Sequence, residues 1–534
     1  MAPEMSSIRR VQDGVRIPRA VVAGVALITL LRLAIALVLP LGDDETFYWE
    51  WSRHLAPGYL DQPPAIAWLI HASTAVFGNT AFAVHFVAAV LLGVTSLALW
   101  VLAREVLGRG DAATAAVVLF NVIPVFAAGG LLAVPDGPLG LAWVLTLLWS
   151  WRAANGAGAP VWRGANGHAW LYAGFWLGLA LDSKYTAAVL PVSVALWLAA
   201  APPYRRWLRR PEPYVALALA AFLFAPVVWW NATHHWASFY FTLAGRPGWS
   251  VGPNAPVFVG LELVYLGPLL LPWLLWALVV AGRRGLAGDS GPFAPGPAGI
   301  FGSRRRPRGR AAQTGWLFLA AAGIPVIVGA AAASLLGAAK GHWAAPGYIA
   351  ATIAFAALLT ERPWPLRPRA WQFGVSAGIA SAVLVTILTH ALPVISAAVL
   401  PPRLDPTVDY YGWRAAAPAI AAVARRDAHR PFFITSDRYQ VLAQFDFSTG
   451  GRYPAATVTG RDQYAYWTRW SDLRGRDGLF IQDGRYPRDV DLHQGCAAVE
   501  PGPSVPVVRR GVVVRTLDLV WCRDFQGRPI RPLR

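Results

Sequence analysis

The chain has 534 residues, of which 56% are hydrophobic and only 14% are charged, and its mean hydropathy is +0.42. A soluble globular protein of this length would lack enough polar surface to cover itself, so this composition indicates a protein that crosses a membrane several times. The net charge of +18 is concentrated in short connectors between apolar runs, which argues against nucleic-acid binding.

The chain begins with a basic segment and continues into an apolar run without a small-residue cleavage site behind it. This pattern predicts a first spanning helix rather than a cleavable signal peptide. In total the hydrophobic pattern predicts about eleven spans, centred near residues 30, 92, 122, 143, 174, 192, 221, 269, 326, 351 and 386.

The connectors between these spans alternate in charge. Those on the side of the N-terminus carry 22 arginines, whereas those on the opposite side carry four basic residues, Arg53, Lys184, Arg246 and Lys340. Arginine is retained on the cytoplasmic side, so the N-terminus is expected inside and, with an odd number of spans, the C-terminus outside. Cys496 and Cys522 lie in the outer part and could pair there or remain two free thiols.

The composition becomes more polar after about residue 402. We predict a transmembrane domain over residues 1–403 and a small extracytoplasmic α/β domain over residues 404–534. Within the second, 431–436 and 479–482 are expected to be strands, 438–447 a helix, and 511–522 a hairpin or long strand. Residues 285–310, rich in Gly, Pro and Arg, are predicted to be a disordered cytoplasmic loop.

The first outside connector contains three adjacent carboxylates, Asp43, Asp44 and Glu45. At least one should have a raised proton affinity unless a cation lies beside it, which suits a general base or a metal ligand. The alternative is a solvated loop with an interfacial aromatic belt. Further along this connector, Pro63 restricts Gln62 to an extended conformation, so Asp61 and Gln62 are either held at a fixed angle or part of a simple turn.

The next outside connectors are short. Asp136 is the only charge in its connector and is either functional or a helix cap. Lys184 either forms an internal pair with Asp182 or meets a phosphate at the membrane face. The later connectors carry His234 and His235 among tryptophans, and then Lys340 and His342; histidine there is either a belt residue or a group that binds metal, phosphate or sugar.

Carboxylates, lysines, histidines and aromatic residues thus gather on one side of the membrane. Aromatic faces and carboxylates suit sugar rings, and cationic groups suit a phosphate leaving group, so the collection favours an enzyme acting on a lipid-linked sugar phosphate. No Gly-rich nucleotide loop is evident, which agrees with a sugar donor that is presented by a lipid.

Six ordered motifs carry a resemblance to a known family. They begin at Asp44, Gly58, Pro135, Ser183, Trp230 and His342, and read DETFYW, GYLDQPP, PDGPL, SKYT, WN with HWASF, and HWAAP; SDRYQ and DQYAYW follow in the C-terminal part. They resemble the motifs of integral-membrane glycosyltransferases of the GT-C fold. The nearest branch is the bacterial one similar to protein O-mannosyltransferases and to aminoarabinose transferases acting on lipid A, which is glycosyltransferase family 39-like.

The resemblance implies an inverting transfer of a sugar from a polyprenyl phosphate to an acceptor hydroxyl on lipid A, a core saccharide, a cell-wall glycan or a protein. It places the chain in the bacterial inner membrane, with membrane lipids around it, and leaves a divalent metal possible. Asp44 and Asp136 match the catalytic positions. Substrate binding is expected from Glu45, Tyr48, Tyr59, Gln62, Lys184, Tyr185, His234, Lys340 and His342, and metal binding from Asp61 and His235. Gln62 stands where relatives carry a charge, so phosphate recognition is expected to shift to Lys184, Lys340 or His342.

Two other functions are weighed against transfer. A transporter or flippase of lipid-linked sugars would need charged residues at mid-membrane and pseudo-symmetric halves, whereas the polar groups here cluster at one face. A membrane anchor with a partner-binding C-terminal domain would make the first connector merely interfacial, and it predicts that Asp44→Asn leaves function intact.

Overall fold

The computed structural model describes residues 16–156, 168–242, 254–288, 310–336, 340–399, 405, 407–509, 511–531 and 533. An apolar helical part comes first, and a sheet with flanking helices follows it. The helices of the apolar part are α1 (Arg19–Ala36), α2 (Asp43–Arg53), α3 (Ala65–Phe77), α4 (Ala81–Leu107), α5 (Gly110–Val122), α6 (Pro124–Ala128), α7 (Asp136–Asn155), α8 (Ala169–Leu181), α9 (Val189–Ala200), α10 (Pro211–Thr233), α11 (Ala237–Tyr240), α12 (Ala255–Leu266), α13 (Leu271–Ala287), α14 (Arg310–Leu336), α15 (Ala345–Leu359) and α16 (Arg369–Val399).

Six of these segments are long and apolar enough to cross a bilayer, namely Arg19–Ala36, Ala81–Leu107, Pro211–Thr233, Gln313–Leu335, Gly341–Leu359 and Arg369–Ala391. Helices α12 and α13 form a seventh if they are one span, although they meet at 94°. The chain is therefore a multi-pass helical membrane protein. The predicted centre at residue 269 falls in the break between α12 and α13, and those near 122, 174 and 192 fall in shorter apolar helices, so eleven spans remain a prediction.

The predicted disordered loop at 285–310 lies mostly outside the described residues. Its first residues are helical, because α13 continues to Ala287 and ends at Gly288, which has the left-handed conformation (φ +73°) that glycine adopts without strain.

The C-terminal part contains helices α17 (Trp413–Asp427) and α18 (Tyr439–Thr449) and a sheet of four strands in the order β1-β2-β4-β3. The strands are β1 (Phe432–Thr435), β2 (Asp477–Asp483), β3 (Cys496–Arg509) and β4 (Val512–Phe525). Strands β1 and β2 are parallel, and the other two neighbouring pairs are antiparallel. Three prolines, Pro501, Pro503 and Pro506, occur in β3, and they suit the edge position because proline cannot donate to a ladder. The predicted strands and helix are confirmed here, and Cys496 and Cys522 form a disulfide bond.

The first outside connector and the C-terminal part share one hydrophobic core. Trp49 and Trp51 of α2 are fully buried in it, together with Ile420 of α17 and Leu442 of α18. Polar contacts reinforce the packing, because Arg53 donates to Asp446 at 2.8 Å. The first connector is therefore a packed helical segment rather than the solvated loop with an aromatic belt that was one interpretation of its sequence.

Candidate active site

A cavity of about 800 Å³ lies where the connectors that were predicted to be outside converge. Its polar wall contains eight of the residues predicted from the sequence, namely Asp44, Tyr48, Asp61, Gln62, Asp136, Lys184, Lys340 and His342. Its remaining lining is largely apolar and includes Leu92 of α4, Phe120 of α5, Leu261 of α12 and Ile349 of α15. The arrangement is that of a ligand site, which combines a mainly apolar surface with a few convergent polar groups.

The three carboxylates in the first turn of α2 lie in three different environments. Asp44 lines the cavity, and Tyr48, four residues later, lies on the same helix face. The Asp43 carboxylate accepts a hydrogen bond from the Gln444 side chain at 3.0 Å. Burial, and next the charge of Asp409, raise the pKa of Asp43 to about 6. The predicted raised proton affinity is thus confirmed at Asp43, and burial is its main cause rather than mutual repulsion.

Glu45 was predicted to bind substrate, but the structure uses it as a clamp. One carboxylate oxygen accepts from the Gly42 backbone N–H at 3.0 Å, which caps α2. The other accepts from the Ala133 backbone N–H at 2.8 Å and lies 3.0 Å from Nδ1 of His85. Ala133 is three residues before Asp136, so Glu45 fixes the distance between the connectors that carry the two predicted catalytic aspartates.

Lys184 and Asp136 form an ion pair in the cavity wall. Nζ of Lys184 lies 2.8 Å from both Asp136 carboxylate oxygens, and its side chain is only 5% exposed. Of the alternatives for Lys184, the internal pair exists, but its partner is Asp136 instead of the neighbouring Asp182. The first and third outside connectors are also joined, since the Ala65 backbone N–H donates to the Asp182 carbonyl at 3.0 Å.

The cavity wall also contains Lys340 and His342, in the turn that precedes α15. Between them, a Cβ on Gly341 would lie 2.9 Å from side-chain atoms of Leu261 and Tyr265. Only glycine allows this turn to approach α12 so closely. The close approach brings the cationic turn against the apolar wall that α12 contributes.

Five predicted residues are not part of the cavity lining. Tyr59 is fully buried, stacks on Trp51 at 4.3 Å and donates to a backbone carbonyl. The hydroxyl of Tyr185 lies 2.6 Å from that of Ser238. His234 stacks on Trp230 at 4.2 Å, His235 is solvent-exposed with φ +56°, and Glu45 forms the clamp described above.

The predicted metal ligands Asp61 and His235 are therefore not both in the cavity wall. Within the ranges that the structure describes, no group of three or more His, Cys, Asp or Glu side chains has an arrangement that could hold a metal ion. We accordingly derive no chemical step from a metal.

Besides Tyr265 of α12, two tyrosines line the cavity, Tyr48 and Tyr439, and only Tyr48 was predicted. Tyr439, at the start of α18, lines the cavity with Tyr48 and packs on Phe47 with ring centroids 4.2 Å apart. Burial, and then the charges of Asp44 and Asp61, raise the pKa of both tyrosine hydroxyls. Both therefore stay protonated and able to donate hydrogen bonds. Tyr439 lies within the SDRYQ motif, which resembled the family without indicating a role in the site.

The chain is similar in sequence to several known proteins. Residues 61–230 match the family of dolichyl-phosphate-mannose-protein mannosyltransferases. Lipid A galacturonosyltransferase RgtD of Rhizobium johnstonii is 26% identical over 471 residues, which are 83% of this chain and 86% of that protein. Undecaprenyl phosphate-alpha-4-amino-4-deoxy-L-arabinose arabinosyl transferase of Pseudomonas aeruginosa is 31% identical over 207 residues, about a third of either protein (36% and 35%).

Solved structures show the same fold. ArnT from Cupriavidus metallidurans bound to undecaprenyl phosphate matches with a TM-score of 0.60 and 15% identity, over 94% of this chain and 97% of that one. The archaeal oligosaccharyltransferase AglB from Archaeoglobus fulgidus matches with a TM-score of 0.51 and 12% identity, over 86% and 69%. The chain thus has the GT-C fold and is similar to bacterial aminoarabinose transferases and to protein mannosyltransferases.

Proposed function

We propose that the chain is an inverting glycosyltransferase, which moves a sugar from a polyprenyl phosphate to a hydroxyl of a lipid A-type glycolipid. The observation that carries this proposal is that eight residues from separate outside connectors line one cavity. The sequence similarity to transferases that are named for lipid A and for undecaprenyl phosphate supports both substrate classes.

The polar wall suits each part of the reaction. Asp44 accepts the proton of the acceptor hydroxyl as its oxygen bonds to the anomeric carbon. The bond from that carbon to the phosphate oxygen breaks, and the phosphate leaves with the electron pair. Lys184 and Lys340 stabilise the growing negative charge of the leaving group. Asp136 holds the Lys184 ammonium in position through both carboxylate oxygens.

The cavity suits the rest of the donor as well. Tyr48 and Tyr439 offer hydroxyl donors and ring faces to the sugar. Below them, Leu92 and Thr95 belong to the spanning helix α4, so this lining reaches the hydrocarbon region. We assign this apolar part to the prenyl chain. Because this chain is attached to the phosphate, it enters the cavity alongside that group and packs against the apolar side chains.

The topology follows from the same proposal. The N-terminus is cytoplasmic, the cavity opens on the extracytoplasmic face, and about eleven spans form a domain over residues 1–403. Residues 404–534 form the extracytoplasmic domain. The Cys496–Cys522 disulfide supports this orientation, because disulfides persist in oxidising compartments.

The test compares purified wild type with Asp44→Asn, using radiolabelled polyprenyl-phosphate sugars and a membrane extract as acceptor. Asp472→Asn is the matched control, since Asp472 is an exposed aspartate of the C-terminal part. We expect wild type and the control to transfer label, and Asp44→Asn to lose transfer by at least about a hundredfold while it still binds the donor. Equal transfer by Asp44→Asn would remove Asp44 as the base, and no transfer by wild type with any donor would refute the proposed function.

A further inference from the structure

A second, smaller hollow adjoins the cavity. Its volume is about 60 Å³, and we call it the arginine pocket because three of its lining residues are Arg438, Arg485 and Arg515. Neighbouring residues of the chain alternate between the two spaces. Asp43 lines the pocket and Asp44 the cavity, while Tyr439 lines the cavity between two pocket residues. The same two segments therefore line both spaces, so one ligand can reach both.

The arginines differ in how fully they are paired. Arg485 donates from Nε to Asp483 at 3.0 Å and from Nη2 to Asp409 at 2.5 Å. Arg515 shares these two carboxylates at 3.4 and 3.5 Å and donates to a backbone carbonyl at 3.1 Å. Two aspartates thus serve two arginines, and this part of the pocket is electrically balanced.

Two buried N–H groups in the pocket wall lack an acceptor. Nε of Arg515 has no hydrogen-bond partner, although the side chain is only 2% exposed. Nε of Arg438 is likewise buried without a partner, and its guanidinium lies over the Tyr486 ring at 4.1 Å. An unpaired buried donor on a charged group is unfavourable, so two of them around one hollow indicate that an acceptor is missing there.

We infer that the arginine pocket binds an anionic group of the acceptor, a phosphate or an oxyanion of similar size, while the acceptor hydroxyl reaches Asp44. This inference rests on the proposed function. The volume of about 60 Å³ exceeds what a single water needs, so the pocket admits a small oxyanion. Planar guanidinium groups bind such oxyanions through paired hydrogen bonds. The same pocket thereby distinguishes phosphorylated acceptors from neutral ones.

Asp43 opposes this binding and so provides a variant with the opposite effect. Its carboxylate lines the pocket and would repel an anion. Asn at this position keeps an oxygen for the hydrogen bond from Gln444 and removes the charge. Asp43→Asn should therefore tighten anion binding, whereas Arg438→Gln should weaken it.

The experiment measures acceptor binding in the absence of sugar donor. The full chain in phosphatidylcholine nanodiscs is titrated with bis-phosphorylated lipid A and, separately, with the same lipid after removal of its phosphates. We expect wild type to prefer the phosphorylated form by roughly tenfold or more, Arg438→Gln to lose most of this preference, and Asp43→Asn to increase it. Arg430→Gln, which changes a half-exposed arginine of the C-terminal part, should leave it unchanged.

Two results would overturn the inference. If Arg438→Gln keeps the wild-type preference for phosphorylated lipid A, and its circular dichroism and melting are like those of wild type, the pocket does not bind the phosphate. Competition by added phosphatidylglycerol, without any preference for phosphorylated lipid A, would assign the pocket to a membrane headgroup instead. Because no sugar donor is present, a preference that survives a failure of transfer would support the pocket even though the proposed function had failed.

Discussion

The Lys184–Asp136 pair is expected to act as one energetic unit. Its Nζ to oxygen distances are 2.8 Å, and the two side chains are 5% and 29% exposed, respectively. Removing one member of a buried pair leaves an uncompensated charge and costs about 3–5 kcal/mol. Lys184→Met leaves the more exposed partner and should cost about 3 kcal/mol, whereas Asp136→Asn leaves the buried ammonium and should cost nearer 5 kcal/mol.

The double variant should recover much of this loss, because it leaves neither charge unpaired. Unfolding in dodecyl sulfate, followed by tryptophan fluorescence, gives the free energy of unfolding for all four members of the cycle. We expect a coupling of about 2–3 kcal/mol, and no measurable coupling for the exposed pair Arg426–Asp427, which serves as control. Transfer should remain absent in the double variant despite its recovered stability. Single costs that simply add in the double variant would refute this reasoning.

Three further predictions concern packing, pH and the disulfide. Gly174→Ala should destabilise the chain by about 1–3 kcal/mol, because its Cβ would lie 2.3 Å from the Ala216 carbonyl oxygen, whereas Gly140→Ala, with no atom within 4 Å, should melt like wild type. Burial raises the pKa of Asp462 to about 7, so the protonated carboxyl contributes fully to stability below about pH 4, and this contribution is lost as the pH rises through 7. The denaturation midpoint of wild type should therefore fall over this pH range, whereas that of Asp462→Asn should not. Parallel pH profiles of the two proteins would contradict the assignment. Replacing both Cys496 and Cys522 by alanine should lower the free energy of urea unfolding by about 3.5 kcal/mol, because the disulfide closes a loop of 26 residues. An unchanged denaturation midpoint would contradict this prediction.

The sequence predicted which residues gather at one cavity better than it predicted the direction of each side chain. Membership of an outside connector follows from hydropathy and arginine placement, and eight residues selected in this way line one cavity. Glu45 and Tyr59 lie in the same connector but face the protein interior, where one caps α2 and the other stacks on Trp51. Such orientations depend on packing partners elsewhere in the chain, which a local pattern does not contain.

The bend between α12 and α13 was missed for a related reason. An apolar run predicts burial in lipid but not a straight helix, so the hydropathy pattern predicted one span centred at residue 269. Gly267 has φ +86°, and a Cβ there would lie 2.7 Å from the Ala382 backbone. Glycine thus permits both the turn and the close approach of α16. Tyr439 was missed as a site residue because its contact with the first connector links distant parts of the chain.

The contacts between the first connector and the C-terminal part also set an order for biosynthesis. Gln444 and Asp43 are 401 residues apart in the chain, Gln463 and Leu60 are 403 apart, and Asp446 and Arg53 are 393 apart. A ribosome must therefore make most of the protein before the cavity wall around Asp44 is finished. A nascent or prematurely terminated chain can insert its helices into the bilayer while the cavity wall around Asp44 is still incomplete.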